Sequence, residues 1–155
     1  MTADRSWIEE NTEQRERLRA LIRRASDGDL ARPLAAGWTV AAALAHLAFW
    51  DQRIAVLLDA WDRGRPPTDA NEADVDWIND SAKALCLALA PRAAAELALA
   101  TAEAVDALVA ALGDDRLAAN AAAGAPINVR RSEHRREHLD EIEQALASRP
   151  AGPGT

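Results

Sequence analysis

Apolar residues recur every three to four positions along five stretches of the chain, the spacing of one buried helix face. The first stretch, roughly 5–26, carries Trp7, Ile8, Leu18, Leu21, Ile22 and Ala25. The second, roughly 39–62, runs through Val40, Leu44, Leu47, Ile54, Leu58 and Trp61, with Thr39 placed to cap it. The third (72–89) has Val75, Ile78, Leu85 and Leu89, and the fourth (91–112) has Leu97, Ala104, Val105, Leu108 and Leu112. The last, roughly 130–147, has Leu139, Ile142, Ala145 and Leu146. Stretches rich in Gly, Pro, Asp and Asn separate them at 27–37, 62–71, 113–128 and 149–155, and Pro91 marks the start of a helix after a short break near Ala90. No segment alternates as a strand does. Amphipathic helices of this length bury their stripes most simply in a bundle, so the expectation is all-α, one domain over 1–148 and a flexible tail at 149–155.

Composition narrows the possibilities. The 155 residues are 49% hydrophobic and 28% charged, enough for a core and against disorder. Abundant alanine with few β-branched residues favours helix. A net charge of −7 argues against nucleic acid and against anionic lipid. With a single cysteine, Cys86, no internal disulfide forms. Cys86 sits in "KALCLALA", where it reads as a buried small side chain. The apolar run Val40–Trp50 is too short to span a bilayer, and residues 1–18 contain no signal-like apolar run. These features lead to the expectation of a soluble cytoplasmic protein.

The chemistry gathers in "SEHRREHLDEI", 132–142, which holds two of the three histidines. Stepping back four residues at a time from Ile142 gives His138 and then His134, which predicts that both imidazoles continue the apolar stripe inward. Glu133, Arg135, Arg136, Glu137, Asp140 and Glu141 then cover the rest of the circumference. Two inward imidazoles one turn apart suit a shared metal ion, as in other helical pairs, and the positive helix N-terminus keeps them neutral. The third histidine, His46, falls at the edge of the second helix's apolar face, and all three meet if the second and fifth helices are neighbours. Spacing alone leaves structural histidines equally open.

"GWTVAAALAHLAFWD" (37–51) resembles the second-helix motif of the DinB-like family, which shares its fold with the N-terminal domain of mycothiol-dependent maleylpyruvate isomerases. "EHRREHLDEIEQAL" (133–146) resembles that family's closing helix with its His-x-x-x-His pair. The resemblance implies a four-helix bundle, here with one extra short helix, and a divalent cation, zinc or nickel, held by His46, His134 and His138. It further implies a transferase or isomerase that uses a low-molecular-weight thiol, mycothiol or bacillithiol, on a small molecule, and a homodimer. Relatives that bind small molecules without catalysis, or act in stress or self-resistance, keep that alternative open, as does metal-activated water in a hydrolase.

Three further residues are singled out by position. Glu141, three residues after His138, is placed to orient an imidazole or take a proton, although a solvated face suits it as well. Asp51 lies near the middle of the second helix's apolar stripe, so it needs a partner such as Arg135 or Arg131, and an ion pair is favoured over catalysis. Trp50, one turn beyond His46, is expected to wall the pocket. Trp38 fits a staple before Thr39, and Trp61 and Trp77 read as core or interface anchors.

Overall fold

The computed structural model describes residues 3–68 and 72–148. The expected tail at 149–155 and part of the 62–71 loop lie outside them. Long helices form at α1 (Trp7–Arg24), α3 (Val40–Asp62), α4 (Glu72–Ala88), α5 (Pro91–Ala110) and α7 (Arg131–Ala147). Short helices occur at α2 (Asp27–Leu30) and α6 (Asp114–Ala122), with one 3-10 turn at Ala35–Gly37. Among the described residues the only β-type pairing is an isolated bridge between Pro33 and Thr39.

Four long helices contact one another in a cycle: α1 lies against α5 and α7, and α3 lies against the same two. α4 packs on α3 from outside that cycle. The helix starts follow local chemistry. The Thr39 hydroxyl accepts from the Ala42 N–H at 3.1 Å, a cap that stabilises by about 1 kcal/mol. Pro91 occupies the first turn of α5, where its missing N–H costs nothing. Arg130 supplies no side-chain cap to α7, and a tertiary contact takes over. The Asn11 side-chain oxygen (Oδ1) on α1 accepts from the Ser132 N–H, and its side-chain amide N–H donates to the Val129 carbonyl, both at 2.8 Å.

Two expectations are corrected. The 113–128 stretch is not all loop, because α6 forms within it. Its Asp114 and Asp115 sit in the first turn, where acidic groups favour a helix. Asn120, which reads as a helix breaker, instead holds the return of the chain. It donates to the Ile127 carbonyl at 2.8 Å and accepts the Ile127 N–H at 2.9 Å. The 27–37 stretch likewise folds into α2, closed by a reciprocal Ser26–Asp29 capping box.

The core falls into two apolar clusters. One is built on Leu18, Leu21, Leu44, Leu47, Leu139 and Ile142, the other on Trp7, Ile54, Leu58, Val105, Val109 and Ile127. Each fully buried aliphatic side chain contributes roughly 1.5–3 kcal/mol against exposure. Between the clusters lies a polar layer. On α3 the buried run Ala48, Asp51, Ile54 crosses from one cluster to the other, and on α5 Ala102, Asp106, Val109 does the same. α3, at 23 residues, is long and apolar enough to cross a membrane by length and composition, which the shorter apolar run Val40–Trp50 does not suggest. Its apolar window is mostly buried against neighbouring helices, as befits a core helix.

Candidate metal centre

The three histidines come together. α3 brings His46 against α7, whose one-turn spacing stacks His134 and His138. The His46 and His134 Nε2 atoms are 3.1 Å apart, and those of His138 and His134 are 3.2 Å apart. A ring nitrogen has one in-plane valence, either a proton or a lone pair. His134 Nε2 faces two other ring nitrogens, so protons cannot satisfy all three pairwise. A single cation accepts all three lone pairs at once. With tetrahedral angles and metal–nitrogen bonds of roughly 2.0–2.1 Å, nitrogens stand about 3.3 Å apart, close to the observed spacing. The donor set therefore fits a divalent cation.

Electrostatics favour the neutral rings such a cation needs. Burial, and then the neighbouring His138, lowers the His46 pKa to about 4. Burial lowers that of His134 to about 3, helped by His138, His46, Arg131 and Arg135. Burial thus outweighs the helix N-terminus that the sequence suggests as the cause. With Nε2 facing the centre, each ring's proton belongs on Nδ1. The His138 Nδ1 lies 3.6 Å from a Glu141 carboxylate oxygen, in the direction of a carboxylate–histidine pair but longer than a hydrogen bond. The Nδ1 atoms of His46 and His138 have no hydrogen-bond partner among the described residues.

The expected buried face of α7 needs correction. Its innermost side chains are Arg131, Ser132, Arg135, Leu139 and Ile142, while His134 and His138 are half-buried beside them. Arg135, expected on the solvated face, is 1% exposed. The i, i+4 steps that lead inward run from Leu139 to Arg135 and Arg131, because a buried carboxylate waits there. Asp51, 2% exposed, accepts from Arg131 Nε at 2.9 Å and from Arg135 at 3.2 Å. Arg135 also grips Asp106 through two bonds of 2.7 and 2.9 Å, and Arg15 adds a third bond, to the Asp106 Oδ2. Burial pulls the Arg135 pKa down, but Asp106 and Asp51 more than offset it, and the net shift is upward. Asp51 is thus fully engaged in an ion-pair layer.

A cavity of about 680 Å³ opens over the histidines. Leu34, Ala35, Ala36 and Trp38 form one wall, and Ala43 and His46 belong to the floor. Asp76, Asn79 and Asp80 from α4 face Glu137 and Glu141 from α7. Trp38, not Trp50, is the lining tryptophan, and its ring meets His46 edge-on at 5.6 Å. Trp50 stands behind the wall: its ring centroid is 6.5 Å from that of His46, edge-on, and it donates its indole N–H to Asn79 at 2.8 Å. One helical turn carries Trp50 away from the mouth toward α4, where a polar partner meets it. Asp76, Asn79, Asp80 and Glu137 escape a reading that follows apolar stripes. Their signal is the polar i, i+3, i+4 face of the third helix, which becomes informative only once that helix is known to border the histidines. Cys86 is buried away from this cavity, and burial raises its thiol pKa.

An all-helical chain with three imidazoles converging under a cavity defines a candidate helical metalloprotein. The profile of the DinB superfamily matches residues 10–142, and the chain belongs to that superfamily, whose members often bind metal. No curated protein and no solved structure matches the chain.

Proposed function

We propose that this chain is a divalent-metal-dependent transferase that joins a low-molecular-weight thiol, of mycothiol or bacillithiol type, to a small electrophile. The observation that carries this reading is the convergence of three histidine ring nitrogens beneath a cavity large enough for a small substrate. His46, His134 and His138 are the ligands in this proposal, and three imidazoles suit zinc or nickel. Such a cation, when bound, stabilises a thiolate at neutral pH. Glu141, 3.6 Å from the His138 Nδ1, is placed to steady that ring and, with Glu137, offers a carboxylate at the mouth for the thiol proton. Trp38 and Leu34 shield the reacting end of the substrate from water. Four helices, α1, α3, α5 and α7, act as the bundle, and α4 serves as the wall added to it.

Elemental analysis of wild type beside His138→Ala is the first test. About one zinc or nickel per wild-type chain and almost none in the variant is expected, and equal metal in both removes the reading. Turnover of an electrophile with mycothiol or bacillithiol then separates a transferase from a non-catalytic binder. Turnover without any thiol would indicate a hydrolase.

We also read the apolar groove between α3, α4 and α5 as the docking face for a second copy of this chain. Trp77 at 58% and Leu85 at 73% exposure line it. Sedimentation equilibrium should give a dimer that Leu85→Glu weakens at least tenfold, and a wild-type monomer at micromolar concentration overturns this.

A further inference from the structure

The cavity has two unlike walls. Leu34 and Trp38 give it an apolar, aromatic side, while Asp76, Asp80, Glu137 and Glu141 give it four carboxylates. Among the described residues no lysine or arginine lines it. Of the cations nearby, the arginines are neutralised and the lysine keeps its charge. Lys83 donates its ammonium to the Ala36 carbonyl and lies over the Trp38 ring at 5.4 Å. Arg131 and Arg135, beneath His134, are paired with Asp51 and Asp106. The floor points to a ligand independently of the rim: His46, only 8% exposed, turns its Nε2 to 3.1 Å from that of His134, which also faces the His138 Nε2 at 3.2 Å, a crowding of like atoms that protons alone do not satisfy.

We infer that this cavity selects small organic cations over anions, with the apolar part of the ligand against Trp38 and Leu34 and its positive group toward the α4 and α7 carboxylates. The inference rests on the reading of this cavity as the substrate site, but not on thiol chemistry. A concave site lined by one sign of charge concentrates its field and raises the local concentration of counter-charged ligands. Four carboxylates against a divalent cation on the histidines and the Lys83 ammonium still leave the mouth net negative, by a single charge. An electrophile or thiol bearing several carboxylates meets repulsion there, whereas an uncharged or ammonium-bearing one does not. Because the carboxylates are exposed, the selection is modest and screened by salt.

Three probes of similar shape test this: benzyltrimethylammonium, benzyl alcohol and benzylsulfonate, none of which is a strong metal ligand. Binding is read from the indole N–H resonance of Trp38, assigned by its loss in Trp38→Phe, on the full chain as purified and after chelation. At low salt the ammonium should bind roughly five- to tenfold more tightly than the alcohol, and the sulfonate most weakly. The gap should shrink in about 0.5 M salt. In Asp76→Asn/Asp80→Asn/Glu137→Gln the three affinities should fall within about twofold. A sulfonate that binds as well as the ammonium overturns the inference, as does an unchanged order in the triple variant, or no probe reaching Trp38. The expected order in a chain that neither holds metal nor transfers thiols would leave the cation preference standing and remove the transferase. The reverse order with thiol transfer intact would do the opposite.

Discussion

Two polar clusters join the same pair of helices, α3 and α7, and they are built in opposite ways. Asp51 meets Arg131 and Arg135 across the core, while His46 meets His134 and His138 beside it. In the first cluster charges are sealed between two apolar layers and nearly every donor and acceptor is used. Among the buried side-chain atoms of the described residues there, Arg135 Nε and the Ser132 hydroxyl are left over. In the second the groups open onto a cavity and crowd like atoms together, and burial holds His46 and His134 neutral. A saturated polar cluster in a core reads as structure, because removing any member strands a buried charge. An unsaturated one, with lone pairs aimed at one point, reads as a binding site. Their nearness has a consequence. The ion pairs fix the register of α7 against α3, and with it the distance between His46 and the other two rings.

That contrast breaks first at Arg135. Arg135→Ala leaves Asp51 to Arg131 alone and Asp106 to Arg15 alone in the core, and urea denaturation should show a loss of about 3–5 kcal/mol. A loss below about 1 kcal/mol would mean that the layer is wet and not structural. His138→Ala should do the reverse. Metal per chain should drop from about one to under about a tenth, while the stability of the metal-free protein changes by less than about 1 kcal/mol.

The pH dependence of the metal-free protein sharpens the same contrast. An unfolded histidine titrates near 6.5, whereas folded His134 stays neutral down to about 3 and His46 to about 4. Between those values the unfolded chain binds more protons than the folded one, so stability falls as pH falls from about 6.5. Against His134→Asn, wild type should lose on the order of 1–2 kcal/mol more between pH 7 and 4. Parallel curves for the two proteins would show that His134 is not held neutral. The smallest effect belongs to Glu141→Gln. Its 3.6 Å approach to His138 predicts metal binding weakened by about tenfold or less with stoichiometry kept, measured by competition with a chelator.

The two clusters also differ in how well the chain announces them. The His-x-x-x-His pair and Asp51 in an apolar stripe are visible in the linear pattern, and Asp51 implies its arginine partners. The helix spans, the Thr39 cap and the Pro91 start follow from local rules that act within one turn. Arg135 is different. A charged residue among charged neighbours looks solvated, and only the carboxylates delivered by α3 and α5 make its burial favourable. α6 and the Asn120 clasp were hidden for a similar reason, since Asn serves as breaker or brace according to what returns to meet it.

By itself the sequence determined the all-helical class, the positions of the long helices and the one-turn spacing of His134 and His138, because periodicity and capping are local. Tertiary structure alone decided which face of α7 points inward, where His46 lies relative to the pair, and that α4 completes the cavity with Asp76 and Asp80 while Trp50 stands behind it. Those outcomes depend on pairing buried charges and filling space between helices distant in sequence, energies that no single helix contains.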